Sequence, residues 1–338
     1  MTETIRQPVQ PITTVREDLV TSGLSLWLIA GVLVDGWAHV TRGAVETFFT
    51  PWHALFYSGF AAVSAWIVYV ARRQKAGPPV GYRLGLVGIG IFASGGVGDL
   101  LWHQFLGIET SIDALVSPTH LLLLSGAMLI ITTPIRAGWH RPTPRGGRWS
   151  WHAPGILAAA LVGILAQFFY LYASGWGAIA FLSDWQPGSD SFGVAMGMVS
   201  LVVSTMIFMS LGLILIRRWD PPPGTFTLLI GAVGLAMGIV HGLERPGDAL
   251  AAILGGAAVD WLTYRLHPDP ARPTTIRAWA LLAPIAVWGI YVAYLAVASD
   301  LGWPFVLWSG AVLMMGLWGL GLSLVALPPP LPGNQQSS

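Results

Sequence analysis

Ten runs of about 20 mostly apolar residues, separated by short polar loops, set the limits on what this chain can fold into. They cover 19–41, 51–72, 82–106, 118–135, 153–175, 192–216, 224–243, 247–265, 276–298 and 303–327. A run of that length with few charges spans a bilayer as a helix, because lipid offers no partner to an unpaired backbone N–H or C=O. Over the 338 residues 54% are hydrophobic and only 10% charged, against about 25% charged in a soluble domain. The sequence therefore predicts an all-α fold, a polytopic membrane helical bundle of about ten transmembrane helices. The lipid bilayer is its first expected partner. A net charge of +1 and a single lysine, Lys75, give no basis for nucleic-acid binding.

The organisation follows from charge. Arg6 and Arg16 precede the first run, and Arg72, Arg73, Lys75 and Arg83 lie between the second and third. Arg136, Arg141, Arg145 and Arg148, then Arg217 and Arg218, then Arg265, Arg272 and Arg277 fill the following alternate loops. The opposite loops hold Arg42 and Arg245. The positive-inside rule then places both termini in the cytoplasm of a multi-pass cell-membrane protein. Residues 1–18 read as a polar cytoplasmic segment followed by a retained anchor, since they lack the pattern of a cleavable signal. The Pro-rich stretch 328–338 reads as a disordered tail. Between them lie 19–135, with helices one to four, and 153–327, with helices five to ten.

Within 19–135 a motif occurs twice. Asp35-x-x-x-His39 is followed by Thr50-Pro51-Trp52-His53, and Asp99-x-x-x-His103 by Ser117-Pro118-Thr119-His120. The two copies form a tandem two-helix repeat. Four-residue spacing puts an aspartate and a histidine on one helix face, about 6 Å apart along the axis. Thr or Ser followed by Pro is helix-start chemistry, which places His53 and His120 in the first turn of the next helix. Each copy thus offers one carboxylate and two imidazoles from two antiparallel helices. Ionisable groups are costly in a membrane, so their recurrence in one order points to function. With no cysteine in the chain, a metal here takes nitrogen and oxygen ligands only. That donor set suits copper, zinc or non-haem iron. Topology expects both motifs at the outer face, beside Glu46, Glu109, Asp113, Asp184, Asp190, Glu244 and Asp248. The competing reading of each Asp–His pair is a structural hydrogen bond.

The later segments carry weaker signals. His241, Glu244 and Asp248 in MGIVHGLERPGDAL suit a helix-end turn better than a ligand set. Asp260 is expected to pair with a neighbouring arginine, and Gln167 to hydrogen-bond between helices. Trp149, Trp151, Trp176, Trp185 and Trp303 suit interfacial belts.

The first copy resembles the metal-binding motif of the C subunit of particulate methane and ammonia monooxygenases, the copper membrane monooxygenases. The likeness rests on Asp35, His39, Phe49-Thr50-Pro51-Trp52-His53 and Phe56-Tyr57, and in the second copy on Trp102-His103. It covers Asp35–Tyr57 and Asp99–Leu124 and not the rest of the chain. It implies copper bound by Asp35, His39 and His53, and likewise by Asp99, His103 and His120. It also implies oxidation of small apolar substrates alongside further monooxygenase-type subunits. Two other functions fit the residues: a copper transporter or copper-handling protein, and a b-type cytochrome with histidine-ligated haem. A single centre shared by helices one to four also fits.

Overall fold

The computed structural model describes residues 11–42, 49–107, 112–142, 148–177, 192–298 and 300–328. Glu46, Glu109, Asp184, Asp190, Trp185 and most of the Pro-rich tail lie outside them, as does the side chain of Asp113. The described residues form helices and no named strand: α1 Val15–Arg42, α2 Pro51–Arg72, α3 Tyr82–Leu106, α4 Ile112–Val116, α5 Pro118–Ile131, α6 Thr133–His140, α7 Trp149–Phe169, α8 Phe192–Arg218, α9 Thr225–Val240, α10 Pro246–Leu266, α11 Pro273–Val297 and α12 Phe305–Ala326. All ten expected segments fall on helices, and eight helices are long and apolar enough to cross a membrane, α5 and α6 counting as one. The other two, α9 and α10, are shorter or more polar. With 16 residues, α9 rises only about 24 Å, short of a hydrocarbon core of about 30 Å. The second, α10, carries Asp248, Asp260 and Arg265 within its length.

The chain divides into two compact units, Met1–Leu165 with Val240–Gly242, and Ala166–Ile239 with Leu243–Ser338. In the first unit α1 packs on α2 and α3 on α5, and both contacts use glycine at matching positions. A Cβ on Gly31 would lie 2.4 Å from Phe56 Cα, and one on Gly59 2.6 Å from Leu28 N. In the second pair a Cβ on Gly95 would lie 3.0 Å from Leu123 N, and one on Gly126 2.5 Å from Phe92 N. The α1 positions Leu28, Gly31, Asp35 and His39 recur in α3 at Phe92, Gly95, Asp99 and His103, each 64 residues on. The α2 positions Pro51, His53, Phe56 and Gly59 recur in α5 at Pro118, His120, Leu123 and Gly126, each 67 residues on. The repeat is thus structural as well as sequential. Only glycine lets the backbones approach this closely.

The far end of this unit, away from the two motifs, is tied by charge. Asp18 is fully buried and ion-paired to Arg141. It also accepts hydrogen bonds from Thr13 Oγ1 at 2.9 Å and Tyr82 Oη at 3.0 Å. Glu17 pairs with Arg73, and Trp66 Nε1 donates to Thr21 Oγ1 at 3.1 Å. Where Pro134 interrupts the α5–α6 ladder, Arg136 donates to the carbonyl of Leu129 at 2.6 Å.

In the second unit Gln167 behaves as expected, accepting from Ser204 Oγ at 2.8 Å. Among the described residues Asp260 pairs with no arginine. Its carboxylate accepts the backbone N–H groups of Phe226 and Thr227, at 3.0 and 2.8 Å, and so caps the start of α9 from α10. Bare N–H groups at a helix start are a stronger claim on a half-buried carboxylate than a side chain free to reach water. Trp176 and Trp303 are buried within the protein, and Trp176 stacks on Trp288 with centroids 4.8 Å apart. Between α9 and α10 lies a turn, with Gly242 at φ 71°, and Arg245 there pairs with Asp300 at 2.5 Å and Asp248 at 3.5 Å.

Candidate metal centres

The first centre forms where α1 ends and α2 begins. Asp35 and His39 stand one turn apart near the end of α1. Thr50, in extended conformation, accepts the His53 backbone N–H at 3.1 Å, and Pro51 opens α2. His53 is thereby fixed in the first turn, facing the α1 pair. Trp37 and Trp52 meet edge to face at 6.2 Å, and the Arg42 guanidinium lies 5.0 Å from each ring centroid. This clamp holds the two helix ends in register beside the ligands.

The second centre repeats the plan on α3 and α5. Ser117 accepts the His120 backbone N–H at 3.4 Å and Pro118 opens α5. Ser117 Oγ also lies 2.6 Å from His120 Nδ1. A proton on Nδ1 donated to that hydroxyl leaves Nε2 with its lone pair toward Asp99. Thr119 Oγ1 donates to Asp99 Oδ1 at 3.1 Å.

Distances test whether these residues fit a metal. In the first triad His39 Nε2 is 3.8 Å from Asp35 Oδ2, and His53 Nε2 is 3.5 Å from Asp35 Oδ1. In the second, His103 Nε2 and His120 Nε2 lie 3.5 and 3.6 Å from Asp99 Oδ1. A good N–H···O hydrogen bond is about 2.7–3.2 Å, so these contacts are long for hydrogen bonds. Tetrahedral ligands with bonds of about 2.0–2.1 Å stand roughly 3.4 Å apart, close to what is seen. Asp35 Oδ1 is buried and has no hydrogen-bond partner among the described residues. In each triad one donor atom per residue lies within 4.8 Å of the other two. Both triads are therefore close enough to hold a metal ion, and the residues fit one.

The triads are also near one another. Asp35 interacts electrostatically with Asp99 and His103, and His39 with His103 and His120. Tyr57 reaches from α2 to α3, where a Cβ on Gly96 would touch its ring at 3.0 Å, and it senses both aspartates. Below the triads the helices present apolar side chains: Phe56, Phe92, Val63 and Ile67 are all buried, and Phe60 stacks on Phe92 at 4.3 Å.

All six ligand positions read from the sequence come together, three and three. His241, Glu244 and Asp248 join no such group among the described residues. Sequence reasoning gave no supporting role to Trp37, Arg42, Trp52 and Thr119, and named Tyr57 only within the family likeness. Trp52 and Thr119 occupy the free position of each Pro-x-His element, so the motif itself gave no reason to weigh them. No protein-family model, curated protein or solved structure matches the chain.

Proposed function

We propose that this is a copper-binding membrane protein with two adjacent Asp/His/His centres, acting as an oxygenase on small apolar substrates or as a subunit of one. The observation that carries the metal reading is the pair of triads, matched in register, with donor atoms spaced for a common ion. Copper over zinc or iron, and oxidation as the outcome, rest on the likeness to the C subunit of copper membrane monooxygenases. Within each centre the aspartate supplies charge compensation, and the two imidazoles supply neutral nitrogen donors. Thr50 and Ser117 hold His53 and His120 in the first helical turn. The apolar layer beneath excludes water and suits a substrate that partitions from lipid. A copper ion bound there would supply one-electron chemistry toward dioxygen. Positive-inside topology sets both centres at the outer face.

Transport is the reading this arrangement favours less. Beneath the triads lie Phe56, Phe92, Val63 and Ile67, and side chains of that kind offer a cation no ligand. A haem is disfavoured too, since a carboxylate oxygen 3.5 to 3.8 Å from each histidine nitrogen takes the space a porphyrin needs. The experiment reconstitutes the chain into vesicles and measures copper in the lumen and oxygen-dependent hydroxylation with a reductant supplied. Bound copper without luminal accumulation is the expected result. Copper accumulating in the lumen with time would replace this reading with transport.

A further inference from the structure

The two centres share a plan and differ in how firmly their ligands are held. At the position where the first centre has Trp52, the second has Thr119, whose hydroxyl donates to Asp99 Oδ1 at 3.1 Å. Where the first has Thr50, the second has Ser117, whose hydroxyl reaches His120 Nδ1 at 2.6 Å. The Asp99 and His103 side chains are 2% and 8% exposed, whereas those of Asp35 and His39 are 18% and 31% exposed; the third ligands run the other way, His120 at 25% and His53 at 9%. Among the described residues no hydrogen bond fixes the Asp35 carboxylate or the His39 ring; their nearest polar contacts are the other ligands of their triad.

We infer that the second centre is preformed and retains its metal, while the first is the exchangeable one, open to small exogenous ligands. This rests on the metal-binding reading and adds a division of labour to it. Ligands already oriented by hydrogen bonds, as Asp99 and His120 are, lose little freedom when an ion arrives, and the burial of Asp99 and His103 limits competing water. Thr119 and Ser117 are positioning residues: they act on the metal only through Asp99 and His120. At the first centre the carboxylate and one imidazole must be ordered by the ion itself. The partial exposure of His39 leaves a path for water, azide or a molecule the size of dioxygen.

The test uses full-length protein in lipid nanodiscs, loaded with copper and then challenged with a strong soluble chelator. Release from the wild type is expected to be biphasic. The slow phase disappears in His120→Ala, and the fast phase in His53→Ala. Azide shifts the Cu(II) EPR spectrum of the His120→Ala protein and leaves that of His53→Ala unchanged. Thr119→Val, placed in His53→Ala, weakens the remaining copper by roughly 10–100-fold, the usual effect of removing such a supporting contact, and alters its EPR parameters. Thr119→Ser restores both, which a general loss of folding would not allow. Equal release from the two centres, or slower release from the first, overturns the division of labour while leaving metal binding intact. Wild-type protein that takes up no copper refutes the metal reading, and this inference falls with it.

Discussion

Asp99→Ala is expected to abolish copper at the second centre and leave the first loaded. Asp99 Oδ1 is the common point of its triad, 3.5 Å from His103 Nε2 and 3.6 Å from His120 Nε2. Both imidazoles converge on this one oxygen, and alanine leaves two neutral nitrogens with no anion to balance a cation. The loss should exceed the roughly 10–100-fold that a supporting residue commands. Fold damage should be modest, because the helix contact beside the site is made by the close approach at Gly95 and Gly126, to which the carboxylate adds one hydrogen bond from Thr119. Equilibrium competition against a chelator of known affinity measures the change. A variant that keeps two coppers at wild-type affinity would show that Asp99 is a structural hydrogen-bond partner and no ligand.

The second large effect lies at the other end of the same helices. Arg141→Ala is expected to destabilise the protein by about 3–5 kcal/mol, the cost of stranding a buried charge. Asp18 is fully buried, and among the described residues its carboxylate is held, besides Arg141, by the hydroxyls of Thr13 and Tyr82. Arg141 does more than balance charge. Its Nε and Nη2 also donate to the Thr13 carbonyl, at 3.2 and 3.0 Å, so the start of α1 loses its tether to the end of α6. Thermal unfolding in detergent, followed by tryptophan fluorescence, reads the drop. Replacing both charges, as Asp18→Leu with Arg141→Met, should recover part of it, since no uncompensated charge remains. An unchanged midpoint in the single variant would mean that the pair contributes nothing to stability.

Local rules made much of this molecule legible in its sequence. Asp35 with His39, and Asp99 with His103, are set by helical spacing, while Thr50-Pro51 and Ser117-Pro118 are helix starts that any chain obeys. The six ligand positions and the helical fold came from these rules and from hydropathy. Contacts between distant segments were harder to read. The glycines that seat each helix pair, Gly31 with Gly59 and Gly95 with Gly126, hide among 41 glycines. Their repeat is further masked because the linker between paired helices differs by three residues between the copies, giving offsets of 64 and 67. Asp18 and Arg141 are 123 residues apart, and no local pattern joins them. Asp260 misled for another reason: the expected arginine partner is a sequence neighbour, whereas the N–H groups it caps belong to residues 33 and 34 positions earlier. Apolar composition also registers a 16-residue helix and a charged one almost as well as a full span, which is why ten segments stand out in the sequence and eight described helices are long and apolar enough to cross.

The most direct measurement is the metal content of the purified, full-length chain after reconstitution with copper, iron and zinc in turn. Two coppers per wild-type chain, one in each of His53→Ala and His120→Ala, and none in the double variant are the predicted result. A single copper lost completely in either variant would point to one shared centre. A wild-type protein that retains none of the three metals would contradict the reading of both triads as metal sites.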